Sequence, residues 1–204
     1  MPTLTSCPTL SGSNIMNLVN LSKMPFSFHA GWDEVAVVHH PVIKTFLLLV
    51  LPFALLPPAI LLYASNEPGS LLRLNAAAAR WHEIALVFFV AELLTVPLMG
   101  WLIRASAAER KIAASFRDTF LLAAIIAIPM CLSSLGLLLP DWWSMLGLGL
   151  AGLMVAASLL YHGMYVVLKM DEQFEAQALA YQVFGFGALA WALLSAYILL
   201  QLLG

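Results

Sequence analysis

HEIALVFFVAELLTVPLMGWLI, His82 to Ile103, decides the reading of this chain. From Ile84 onward it is apolar sequence interrupted by one carboxylate, Glu92, and one hydroxyl, Thr95. A helix rising roughly 1.5 Å per residue needs about 20 such residues to cross a hydrocarbon core of about 30 Å. Trp81, Trp101 and Arg104 fall where interfacial anchors belong. The stretch therefore predicts a membrane-spanning helix. An ionised acid at the bilayer centre costs about 2.5–3.5 kcal/mol, so Glu92 predicts neighbouring helices that shelter it.

The rest of the chain supplies those neighbours. It has 204 residues, 62% hydrophobic and 10% charged. A soluble domain carries roughly 25% charged residues, so these are too few to cover a water-facing surface. The formal net charge of -2 gives no reason to expect nucleic acid as a partner. Two cysteines, Cys7 and Cys131, are too few for a disulfide framework.

Four further apolar runs read as spans, giving five in all at about 43–63, 82–103, 119–139, 143–168 and 178–203. The first holds Pro52 and the pair Pro57-Pro58, so its internal hydrogen bonding must break and its kinked side should face protein. The third has Pro129 at its centre, and Pro140-Asp141-Trp142-Trp143 forms a turn with an aromatic belt. Residues 1–28 read as a flexible polar tail, in which Met16 and Met24 are alternative starts. Six residues ahead of Cys7 leave no room for a lipoprotein signal. GWDEVAVVHH, residues 31–40, reads as a short interfacial helix ended by Pro41, and Leu71 to Arg80 as a surface helix. RASAAERKIAASFRD, residues 104–118, reads as a basic, helical connector. The expected fold is an all-α integral membrane bundle of five helices with a short N-terminal interfacial helix.

Orientation follows from the cations. Lys23, Lys44, Arg104, Arg110, Lys111, Arg117 and Lys169 share one face, against Arg73 and Arg80 on the other. That bias places the N-terminus in the cytoplasm and the C-terminus outside.

Glu92 is the first candidate for chemistry. Thr95 lies on its helical face, and Pro97 frees the Leu93 carbonyl one turn earlier. Two readings stand: a proton-titrating or ion-coordinating group, or a hydrogen-bonded acid that fixes helix packing. His162 in the fourth span either pairs with Glu92 or bonds a carbonyl near its own helix end. The histidine spacings are not those of a zinc motif, and neither a metal nor a cofactor is expected.

Gly147-Leu148-Gly149-Leu150-Ala151-Gly152 matches G-x-G-x-x-G literally, but lies inside a span with no strand before it. The physical use of these glycines is close helix approach, through the pairs Gly147/Ala151 and Gly152/Ala156. Gly185, Ala188, Ala192 and Ser195 recur at helical spacing in the last span. The two stripes predict a tight contact between the fourth and fifth helices. Arg110, Lys111 and Arg117 form a basic connector, either attracted to anionic lipid or docking a cytosolic protein.

Four segments carry a family resemblance. They are GWDEVAVVHHPVIKTFLLLVLPFALLPPAILLY, FRDTFLLAAIIAIPMCLSSLGLLLP, SLLYHGMYVVLKM and EQFEAQALAYQVFGFGAL. Together they resemble the bacterial branch of the Yip family, five-span membrane proteins named for interaction with Ypt/Rab GTPases in eukaryotes. The likeness covers roughly residues 30–204, as a pattern of cytoplasmic helix, proline-rich first span, central proline in the third and small residues in the last. It implies a five-helix domain in a bacterial inner membrane. It also implies a non-enzymatic scaffold or organiser that binds lipid, other membrane proteins or a second copy of itself. The other expectation is a small transporter or channel-like protein built on Glu92, with the proline-broken helices one, two and three lining a polar path.

Overall fold

The computed structural model describes residues 41–66, 78–168, 170 and 173–203, apart from the side chains of 78, 79, 173–175, 195, 198, 199 and 201–203. The expected tail at 1–28, the interfacial helix at 31–40 and the connector at 67–77 lie outside the described residues.

Among the described residues, five helices are each long and apolar enough to cross a membrane. They are α1 (Val42–Asn66), α2 (Ala78–Glu109), α3 (Phe116–Ser133), α4 (Trp142–Val167) and α5 (Gln173–Leu203). Among the described residues there is no strand. Helix α2 is continuous through Arg104, so the first half of the basic connector is an extension of the span rather than a separate element.

The prolines are accommodated within helices. In α1 a π-helical turn, Phe46–Val50, precedes Pro52, whose missing N–H leaves the Leu48 carbonyl without its usual donor. Pro57 and Pro58 continue the α-helix and are both buried, which puts the disrupted backbone against protein rather than lipid. At the far end of α1, Ser65 Oγ and Asn66 Nδ2 each donate to the Leu62 carbonyl at 2.8 Å. Helix α3 gives way to a 3-10 segment, Ser134–Leu138.

The interhelical connections are capped. At the end of α2 the Ile112 N–H reaches the Ala107 carbonyl at 3.0 Å and the Lys111 N–H reaches Ala108 at 3.0 Å, the paired bonds of a Schellman motif. Lys111 holds the left-handed position of that motif, with φ 62°. Ser115 caps α3: its Oγ accepts from the Asp118 N–H at 3.2 Å and donates to Asp118 Oδ2 at 2.7 Å. Asp141 caps α4, accepting from the Ser144 N–H at 2.7 Å.

Helix α3 is the centre of the bundle, packed against α1, α2 and α4, while α5 packs against α2 and α4. Its first three turns bury Thr119, Phe120, Leu122, Ala123, Ala124 and Ile125. These join Ile103 and Ala107 of α2, Leu160 and Met164 of α4, and Leu179 and Val183 of α5. The dense core therefore lies in the half of the bundle that carries the α2–α3 and α4–α5 connectors. A smaller cluster at the other end gathers Leu61 of α1 with Trp81, Ile84 and Ala85 of α2.

Two glycines bring neighbours onto α3. A Cβ at Gly100 of α2 would stand 2.9 Å from Phe120 Cα, and one at Gly152 of α4 would stand 2.9 Å from the Pro129 carbonyl oxygen and 2.7 Å from Ser133 Cβ. Backbones approach this closely only where one partner has no side chain.

Candidate functional site

Beyond the dense core the helices separate, and a cavity of about 160 Å³ opens among α2, α3, α4 and α5. Its walls are apolar except for Glu92, Thr95 and Cys131. Thr95 spends its hydroxyl proton on its own helix, donating to the Ala91 carbonyl at 2.7 Å. The Cys131 thiol crosses from α3 and donates to Glu92 Oε2 at 3.1 Å. Among the described residues this is the one hydrogen bond to the Glu92 side chain, and a carboxyl group has room for several more.

Two of the three residues of the polar site expected from sequence, Glu92 and Thr95, thus share one wall. His162 does not join them. Its Nδ1 lies 2.7 Å from the Ser158 carbonyl oxygen, one turn back on α4, and its ring meets Tyr161 edge-on at 5.3 Å. Cys131 is the member that sequence reasoning missed. It sat in an apolar run with nothing to say that its helix face meets Glu92, and only the packing of α3 on α2 brings them together.

The expected tight contact between the α4 and α5 stripes is corrected by the packing. Gly152 and Ala156 are buried, but Gly152 abuts α3. Ala156 and Ala188 line the cavity, so these small side chains leave volume between the helices instead of closing it. Gly147, Ala151, Gly185 and Ala192 are exposed, and among the described residues nothing lies within 4 Å of a Cβ built at Gly147 or Gly185. The Ser195 side chain lies outside the described ones. Gly100, absent from either stripe, makes a second close contact with α3.

In the connector, Lys111 is exposed, Arg110 and Arg117 are half-buried, and the three bracket the turn between α2 and α3. Among the described residues no three of His, Cys, Asp and Glu gather closely enough to hold a metal ion.

No curated protein and no solved structure matches the chain. A family model does: the Yip1 domain matches residues 24–194, which takes in every described helix but the end of α5. With five membrane-spanning helices in the bundle and that match over most of its length, the chain belongs to the Yip1 domain family.

Proposed function

We propose that this Yip1-domain membrane protein is a non-enzymatic scaffold of the bacterial cytoplasmic membrane, with its N-terminus inside and its C-terminus outside. It would bind other membrane proteins, lipid or a second copy of itself. The observation that carries this reading is the open stripe on α4. Gly147 and Ala151 are exposed on a membrane helix with empty space over Gly147. In lipid, helix association is driven by close van der Waals packing, and small residues are what permit it. A stripe that the described helices leave uncovered is a surface on which another helix can seat. The connector bearing Arg110, Lys111 and Arg117 supplies a second contact, suited to anionic lipid or to an acidic face of a partner.

A photo-crosslinker at Leu148, beside that stripe, tests the proposal in native membranes. A discrete protein adduct that disappears in Gly147→Leu supports it. Adducts with lipid alone, unchanged by Gly147→Leu, refute it for this face. Transport receives less support, because the cavity is lined by α2 to α5 rather than by α1 to α3 and has only three polar side chains on its walls. Flux in liposomes that requires Glu92 would reverse that ranking.

A further inference from the structure

The cavity is neither a polar channel nor an ordinary void. It has about the volume of an engineered apolar cavity that takes up benzene, which is about 150 Å³. Three aromatic rings, Phe88 of α2 with Phe184 and Trp191 of α5, stand in its walls beside Glu92. Among the described residues, no lysine, arginine or histidine lines the cavity. Trp191 is both a wall residue and 47% exposed, so the cavity reaches the outer surface of the bundle there, on a face turned to lipid. Glu92 meets it with one bond from Cys131 and spare acceptor positions.

We infer that this cavity binds a small lipophilic amine, its hydrocarbon part among the aromatic walls and its nitrogen on the Glu92 carboxyl. Charge complementarity selects the class. The one ionisable oxygen-bearing group of the site attracts a cation, aromatic faces add to that attraction, and no basic side chain offers anything to an anion. Size selects within the class: one aromatic ring, or a chain of about six carbons, fills the space. An acid and a free amine together hold one transferable proton. The pair is therefore neutral overall whichever partner keeps it, and seating it adds no net charge to the bilayer interior. The ligand enters from the membrane, past Trp191, where lipophilic amines concentrate. Binding of this kind is independent of what the α4 stripe recruits.

The test uses the full chain in lipid nanodiscs, with benzylamine as the probe and toluene and benzoate as its uncharged and anionic counterparts. Binding is followed by ligand-observed NMR against empty nanodiscs. Expected are saturable benzylamine binding, at least tenfold weaker toluene binding and no benzoate binding. Glu92→Gln should lower benzylamine affinity at least tenfold while leaving toluene unchanged. Ala127→Leu, which fills the cavity from α3, should lose both ligands, and it decides the matter if Glu92→Gln does not fold. Benzylamine binding no tighter than toluene, or binding that persists in either variant, would overturn the inference. So would the absence of saturable binding.

Discussion

The Cys131 thiol of α3 donates to Glu92 Oε2 of α2 across 3.1 Å, tying two proline-bearing helices together at the wall of the cavity. A thiol is a weak donor, but Cys131 is buried and the carboxyl has no other side-chain donor among the described residues. Removing one partner of such a pair strands the other. Cys131→Ala should destabilise the protein by about 1–3 kcal/mol, whereas Cys131→Ser keeps a donor in place and should cost less. Thermal unfolding of the three proteins in one detergent checks this. Equal losses in the two variants would assign the whole effect to packing.

The five spans were legible because length and apolarity alone decide whether a helix can cross lipid, and both are local properties. Which faces meet is not local. Glu92 and Thr95 were readable as one site because they share a helix turn. Cys131 joins them from 39 residues away, through the packing of α3 on α2. The small-residue stripes misled for a related reason. Glycine permits close approach without naming a partner, so Gly152 could be picked out while the neighbour it meets could not. Gly100, alone in its span, had no periodic companion to draw notice.

Two glycines of α4 should respond oppositely to the same change. At Gly152 an added methyl would collide with the Pro129 carbonyl and with Ser133 Cβ, both belonging to the backbone or next to it. Neither can swing aside, so Gly152→Ala should cost about 1–3 kcal/mol as the helices are forced apart. At Gly147 the same methyl meets open space, and helix propensity favours alanine by up to about 1 kcal/mol. Gly147→Ala should therefore be neutral or stabilising. Unfolding midpoints of the two variants, measured side by side, give the comparison, and a loss at Gly147 would mean that the α4 stripe is covered within the folded protein.

Lys111 keeps a left-handed backbone, φ 62°, in the Schellman motif that ends α2. A side chain there costs roughly 1 kcal/mol that glycine does not incur. Lys111→Gly should raise stability by about that amount, and Lys111→Ala, which keeps the Cβ, should not. Thermal melts of both variants separate backbone from charge: equal stabilisation by glycine and alanine would point to relief of repulsion in the basic connector instead.

Asp141 ties the start of α4 to pH. Its carboxylate accepts from the Ser144 N–H at 2.7 Å, and hydrogen bonding from the Ser144 side chain first, with that backbone N–H second, holds its pKa below the ordinary carboxylate value. The folded-state pKa is depressed, so the cap's contribution is present above the ordinary carboxylate value. It is lost as pH falls through the lower, folded one, where protonation removes the better acceptor. The residue is fully exposed, so the effect is small and confined to acid. Asp141→Asn retains a side-chain oxygen for the Ser144 N–H and removes the titration. Melting temperatures of wild type and Asp141→Asn should converge as pH drops below the ordinary carboxylate range, with Asp141→Ala lying below both at neutral pH. A wild-type advantage that grows with acid would show that the Ser144 bond does not stabilise the ionised form.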